Sequence, residues 1–289
     1  MRLSVALGQW PDRPAGEAVR TARIADHHGY PEVWVSERGG HDVFALATAI
    51  GLRTSRITVT AGPLTPGARD PAAIATGVAS VAELTGRRVD LALGTAWPPA
   101  GGGHGAATAL RESAAALRPL LAVREPGPEL TIAACGPEEV RVAAEAGRMV
   151  ITMFTPAVAA RLITDLRLLS RTTRVAAWVT AAVDPGEAAL RQLRRSVAPF
   201  VAAPGYREMF AEAGFADVVA YADVAPGPDT VAEAIPEALL ESVALLGDSV
   251  EIMDRLDAYA EAGLDEVALV PVSTDDDPCG EATLKALAG

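Results

Sequence analysis

Short runs rich in Val, Ile, Leu and Thr recur eight times along the 289-residue chain, at Leu3–Gly8, Glu32–Glu37, Ile57–Gly62, Val89–Gly94, Leu130–Cys135, Met149–Phe154, Arg174–Val183 and Glu266–Val272. Longer alanine-rich segments of helical period separate them, the pattern of a parallel sheet buried on both faces. The helix ends are legible: Ala15 to His28 stops at Gly29, Val43 to Arg53 follows Asp42 as an N-cap, and Pro71 opens the next. Eight strand–helix units in a chain of this length predict an α/β fold of the (β/α)8 TIM barrel type, since such barrels typically need about 250 residues. The surplus falls between strands seven and eight, where Gly186 to Gly263 carries several helical segments broken at Pro204, Pro226, Pro228 and Pro236. That predicts a helical insertion over about 186–263 within one domain spanning 1–289. A doubly wound dinucleotide-binding fold shows the same alternation and is the structural competitor.

The stretch Val89–Leu110 bears on that competition. A dinucleotide fingerprint joins strand to helix tightly through G-x-G-x-x-G. Here Gly94 is followed by Thr95-Ala96-Trp97-Pro98-Pro99-Ala100 before Gly101-Gly102-Gly103-His104-Gly105, which is too loose for that turn. No G-x-x-x-x-G-K-[ST] occurs either. The glycine cluster reads as a loop over a barrel mouth, with a phosphate cradle as the alternative.

Composition excludes further classes. Half the residues are hydrophobic and mean hydropathy is +0.22, but no apolar run reaches the roughly 18 to 20 residues that cross a bilayer. The N-terminus begins a strand at once and breaks at Pro11, unlike a signal peptide. A soluble, cytoplasmic chain is the expectation. Net charge is −12 with a pI near 4.8, and the basic residues are scattered, so a nucleic-acid face is not expected. Cys135 and Cys279 form no C-x-x-C, and His27 and His28 diverge by about 100° on a helix, so neither a metal site nor a disulfide framework is predicted.

Several stretches, taken in order, resemble the bacterial-luciferase-like superfamily of flavin and deazaflavin oxidoreductases, above all its coenzyme F420-dependent branch. These are "ADHHGYPEVWVSERGGHD", "TSRITVTAGPLTPGARDPAAIATGVASVAELTGRRVDLALG", "LTIAACGPEEVRVAAEAG", "PGYREMFAEAGF" and "LLGDSVEIMDRLDAYAEAGLDEVALVPV". Their order and spacing carry the likeness. The resemblance implies a cofactor across the C-terminal strand ends, where barrel active sites sit. It implies that Ala61, Gly62 and Pro63 form a bulge backing the cofactor ring, with Gly94 and Thr95 flanking it; ordinary loop and packing roles are the alternatives. It implies cofactor phosphate near Cys135, Gly136, Pro137 and Glu138, where a helix N-terminus favours an anion, although Glu138 and Glu139 are anions that suit such an end themselves.

For chemistry the resemblance points to Glu37 and His41 as catalytic groups at the strand-two tip. Hydride delivery to a polarised double bond leaves an anion that a positioned acid must protonate. Trp34, Arg69, Trp97 and Tyr206 are the candidate substrate-binding residues; capping or solvation for Glu37 and His41, a surface role for Arg69 and packing for Tyr206 are the bland readings. The chain also departs from the family pattern at Arg69-Asp70-Pro71, Gly86-Arg87-Arg88, Ala146-Gly147-Arg148 and Arg38. The function implied is coenzyme F420-dependent hydride transfer to an activated C=C or C=N bond of a small metabolite. The alternatives are an FMN-dependent monooxygenase using reduced flavin and O2, or a catalytically silent partner barrel. A homodimer is implied as well.

Overall fold

Strands of this chain are short and apolar on both sides, so each needs neighbours on two edges and cover on two faces; closing the sheet supplies both. The computed structural model describes residues 1–8, 10, 13–14, 16–37, 41–95, 104–123, 127–225 and 227–288. The elements alternate as β1 (Arg2–Ala6), α1 (Gly16–His27), β2 (Glu32–Val35), α2 (Val43–Gly51), β3 (Thr58–Leu64), α3 (Pro71–Thr85), β4 (Val89–Leu93), α4 (His104–Leu121), β5 (Leu130–Ala133), α5 (Pro137–Ala143), β6 (Arg148–Thr152), α6 (Pro156–Leu169) and β7 (Arg174–Val183). A helical stretch follows: α7 (Glu187–Val201), α8 (Tyr206–Phe210), a π-turn at Ala211–Phe215, α9 (Ala216–Val224), α10 (Pro228–Ala234) and α11 (Glu237–Val243). The chain then completes β8 (Ala244–Gly247), α12 (Ser249–Glu261), β9 (Glu266–Pro271) and α13 (Glu281–Ala286).

All pairings are parallel, and the order β6-β5-β4-β3-β2-β1-β9-β7 closes through β6–β7 into an eight-stranded barrel. This is the (β/α)8 architecture expected. The expected insertion differs in one respect: its far end holds a ninth strand. Strand β7 is ten residues long, and its lower part pairs with β6 while Thr180–Val183 pair with β8. Because β9 occupies the other edge of β7, β8 must sit above β6 on the same edge. Its four residues follow α11 without a break, so a helical pattern runs straight into it and hides it in the sequence.

Two caps read from sequence are in place: Asp42 accepts from Ala45 N at 2.8 Å to start α2, and Pro71 begins α3 behind Asp70. Asp26 clips the end of α1 to the entry of β3, accepting from Ser55 N, Arg56 N and Ile57 N at 2.6, 2.8 and 2.9 Å and from Ser55 Oγ at 2.8 Å. Burial alone would raise its carboxyl, but these four donors hold it below the usual range.

The barrel interior is layered. At its lower end Arg148, 1% exposed, makes a bidentate pair with Glu32 (Nη2–Oε1 2.7 Å, Nη1–Oε2 2.9 Å), reaches Glu266 Oε2 at 3.3 Å and donates from Nε to Thr131 Oγ1 at 3.0 Å. Thr60 also donates to Glu32, Ser4 Oγ donates to Glu266 Oε1 at 2.5 Å, and Arg2 caps both carboxylates from below. Desolvation pushes the Glu32 carboxyl up, yet Arg148, Thr60 and Arg2 together outweigh it and hold the group below its usual 4.5. Above lies an apolar layer of Ala6, Trp34, Ala92, Val150, Ala176 and Ala268. The larger core lies between strands and helices.

Glu32 is depressed in the fold, so the stability it contributes is complete above the ordinary carboxylate range and is lost as pH falls through the folded value. We therefore expect wild type to lose urea resistance below about pH 4.5. Glu32→Gln should flatten that acid limb and Arg148→Ala should cost about 3 to 5 kcal/mol at pH 7, both read from the urea midpoint as a function of pH.

Candidate active site

Side chains of a strand alternate, so the inward positions above the apolar layer follow from the layer itself. They are Gly8 after β1, Ser36 after β2, Gly62 in β3, Gly94 after β4, Thr152 in β6, Trp178 and Thr180 in β7, and Val270 in β9. Most are small. A cavity of about 580 Å³ opens on the C-terminal strand ends, lined among others by Gly8, Trp10, Arg13, Glu17, Ser36, His41, Thr152, Met153, Trp178, Gln192, Arg195, Phe200 and Val270. That is the size range of small-molecule and cofactor sites. Trp178 meets Trp34 edge to face at 5.8 Å, so the lower layers support this wall.

Trp10 closes the cavity toward β9, donating from Nε1 to Pro271 O at 3.1 Å. Its indole lies against Gly8, where a Cβ would come within 2.5 Å of Nε1. Met153, at the tip of β6, holds a left-handed backbone (φ 60°), a conformation that is uncommon for a side chain of this kind and concentrates at functional sites. Among the described residues the charged groups on the wall are Arg13, Arg195 and Glu17. Glu17 is buried, which pushes its carboxyl up, but bonds from Arg13 and from Ser273 Oγ (2.8 Å) hold it below the usual range. Arg13 is shared by two carboxylates, Glu17 and Asp275, the latter 2.5 Å from Nη1. Trp178 and Gln192 are lining residues whose donors, Nε1 and Nε2, are closed to solvent and have no hydrogen-bond partner. Among the described residues no three His, Cys, Asp or Glu side chains group to hold a metal, and no helix is long and apolar enough to cross a membrane.

The structure sorts the residues singled out in the sequence. His41 lies on the cavity wall. Glu37 is not among its lining residues; it pairs with Arg69, which also holds Asp42 Oδ2 at 2.7 Å and lies 5.4 Å from the centre of the Phe44 ring. Arg69 thus ties the loop after β3 to the start of α2, and does not line the cavity either. Trp34 has no exposed surface for a substrate: Arg148 lies 4.1 Å from its ring centre, and its Nε1 donates to Glu266 Oε1 at 3.2 Å. Tyr206 is fully buried, stacked on Phe154 at 4.8 Å, and donates to Thr152 O at 3.0 Å, so packing is its role. Trp97, with the rest of 96–103, lies outside the described residues.

The bulge expected at Ala61, Gly62 and Pro63 is present: β3 and β4 pair at Ala61↔Leu91 and resume at Leu64↔Leu93, one residue out of step. Gly62 has φ 119°, and a Cβ there would collide with Ala92 O. Ala61 faces the outer core. Gly94 is buried where a Cβ would meet Ala133 Cβ at 2.9 Å and Pro63 Cβ at 3.0 Å, which makes close packing its requirement; Thr95 beside it is half-buried. None of the five lines the cavity. At the start of α5, Gly136 and Pro137 lead into Glu138, which pairs with Arg141, and Glu139, whose carboxylate accepts backbone hydrogen bonds from Gly136 and from its own N–H while burial pushes it up. The helix end expected to take phosphate is thus already occupied by a side-chain anion. Burial pushes the Cys135 thiol up to about 11 despite its contact with Tyr206 Oη at 3.7 Å, so it stays un-ionised.

Sequence reasoning missed Trp178, Gln192, Arg195, Ser36 and Met153. The first four are ordinary residues in strand and helix patterns, and only the closed barrel brings them to one wall. Strand parity was the available signal, because Trp178 is the one bulky residue among the alternate positions Ala176, Trp178 and Thr180 of β7.

A barrel packed below and hollow at its C-terminal end is the setting of a small-molecule enzyme site. The chain belongs to the luciferase-like monooxygenase family, whose model matches residues 2–266. It is 40% identical over 89 residues to an F420-dependent glucose-6-phosphate dehydrogenase of Mycobacterium avium, a stretch covering 27% of this chain and 26% of that protein. The chain spans about a quarter of the length of the curated relatives it matches. Over its whole length it superimposes on the coenzyme F420 dependent tetrahydromethanopterin reductase of Methanopyrus kandleri (TM-score 0.80, 17% identity, 98% of that chain). It also superimposes on the oxygenating constituent of 3,6-diketocamphane monooxygenase from Pseudomonas putida, in complex with FMN (TM-score 0.68, 18% identity, all of this chain and 97% of that one).

Gly62→Ala should cost about 2 kcal/mol through its backbone conformation and its clash, lowering Tm by about 4 °C. Thermal unfolding followed by circular dichroism checks this, and an unchanged Tm would mean that the bulge tolerates a side chain.

Proposed function

We propose that this protein is a coenzyme F420-dependent oxidoreductase that transfers hydride to an activated C=C or C=N bond of a small molecule. The observation that carries the reading is the cavity at the strand ends: about 580 Å³, walled by Trp178 and small residues. A flat ring bearing carbonyl oxygens fits such a wall. The 40% identity to an F420-dependent dehydrogenase, over its 89 residues, favours the deazaflavin over FMN. When bound, the reduced cofactor supplies the hydride.

Gly8, Ser36, Thr152 and Trp178 would hold the ring end. The phosphate end fits less well, because Glu139 holds the α5 N-terminus and must be turned out for an anion to enter. His41 protonates the atom left electron-rich by hydride addition, the α-carbon of a C=C acceptor or the nitrogen of a C=N one; it is the candidate acid on the wall, whereas Glu37 is engaged by Arg69. Trp10, pinned to Pro271, shields one side from water. A homodimer and a cytoplasmic location belong to the same proposal.

The FMN-dependent reading rests on the whole-length likeness to an FMN-bound monooxygenase. Titration of the protein with coenzyme F420 and, separately, FMN, followed by cofactor fluorescence, separates the two. Saturable binding of F420 alone is expected; preference for FMN would move the chemistry to O2, and binding of neither would identify a silent partner barrel. With F420 bound, His41→Gln should lower turnover about a hundredfold and leave cofactor affinity unchanged.

A further inference from the structure

Glu17, in the first turn of α1, is a lining residue of the cavity and is buried. Its Oε1 accepts from Arg13 Nε at 2.9 Å and Nη2 at 2.6 Å, its Oε2 accepts from Ser273 Oγ at 2.8 Å, and Arg20 Nη2 stands 3.6 Å off. The third guanidinium nitrogen of Arg13, Nη1, goes to Asp275 Oδ1 at 2.5 Å. Burial pushes the Glu17 carboxyl up, but the bonds from Arg13 and Ser273 overcome it, so the group stays ionised through the neutral range. Arg13 stays ionised as well, its pKa raised by Glu17 and Asp275. Arg195, the remaining charged group on the wall among the described residues, is engaged within the protein too. The hydroxyls of Thr21, Ser196 and Ser273 are likewise spent, on Cys279 O, Leu193 O and Glu17. Beyond these groups the wall away from the ring end is largely apolar, with Leu7, Leu46, Phe200 and Val270. The cavity holds ions whose charges answer one another.

We propose that Glu17 is a specificity-determining residue: by neutralising Arg13 from within the protein it sets the cavity to take an uncharged, largely apolar substrate, such as a conjugated amide or ketone, and to reject carboxylates, phosphates and amines. In naming that molecule the substrate, the inference rests on the oxidoreductase reading above. A charged molecule entering this space gives up its hydration and meets no counter-ion that is not already paired, whichever its sign. An uncharged one gives up little and gains by covering apolar surface. The balance hangs on one buried carboxylate. Without its charge, Arg13 and Arg20 would face the wall with only the exposed, solvent-screened Asp275 against them, and an anion would find attraction there.

The test is isothermal titration calorimetry of the full chain at neutral pH with cinnamamide, cinnamate and cinnamylamine, the uncharged, anionic and cationic forms of one skeleton, each with and without coenzyme F420. We expect cinnamamide to bind saturably and each ion to bind more weakly by about tenfold or more. In Glu17→Gln, which keeps the shape of the side chain, cinnamate should tighten by about tenfold while cinnamamide stays within about twofold. A purely structural role for Glu17 would weaken both probes alike. Asp275→Asn, at an exposed carboxylate, loosens the other side of Arg13 without touching the interior and should move cinnamate the same way by less. Wild type that binds cinnamate as tightly as cinnamamide, or binds none of the three, overturns the proposal, as does a ratio of the two affinities that neither variant moves. Loss of the oxidoreductase reading shows separately: coenzyme F420 fails to bind while the preference measured without it stands.

Discussion

A guanidinium sealed inside the barrel sets the terms for everything above it. Arg148 brings a full charge into a space with almost no water, and that is tolerable only while Glu32 and Glu266 stand at fixed distances and every remaining donor is used. Arg148 stands on β6, and the rest of the network comes from β1, β2, β3, β5 and β9. A slip of one residue in any of these strands would turn its partner outward and strand the charge, so the network penalises wrong registers more than it adds net stability.

The same group organises the layer above. Arg148 lies under the face of Trp34, and Trp34 meets Trp178 edge to face, so a continuous stack runs from the ion network to the cavity wall. Cation–π and edge-to-face contacts are individually modest, but here they set the height and tilt of one wall of the site. Small residues at the strand tips then leave the space open. The lower barrel is packed so that the upper barrel can remain hollow.

The barrel could be read from the sequence because its signal is redundant: eight apolar runs, capped helices and the right length all point one way. Asp42 and Pro71 mark helix starts through backbone chemistry that needs no tertiary context. The bulge at Ala61–Pro63 was legible through the glycine and proline in mid-strand, and the family likeness was legible through ordered motifs. The site was much less so. Position near a strand tip made Trp34, Glu37 and Arg69 look functional, but parity sends Trp34 down the barrel, and Glu37 and Arg69 satisfy one another across a loop. The residues that line the cavity, such as Trp178 from β7 and Gln192 from α7, acquire meaning only from a closure that no local pattern encodes. β8 was invisible for a related reason, being four residues continuous with a helix.

That short strand changes how the helical insertion should be regarded. The segment leaves the barrel at the top of β7 and returns as β8 to the edge of the same strand, at Thr180–Val183. Both ends of the excursion are therefore fastened within a few residues of each other on one scaffold element, independent of what lies between. Between the fastenings the segment folds back on the barrel, with Tyr206 of α8 buried against Phe154 and donating to Thr152 O, while α7, which supplies Gln192 and Arg195, stays at the proximal fastening. The helical segment thus hangs by both ends from one barrel strand, and the wall residues it supplies, Gln192 and Arg195, lie on its first helix, next to a fastening that barrel closure itself holds in place.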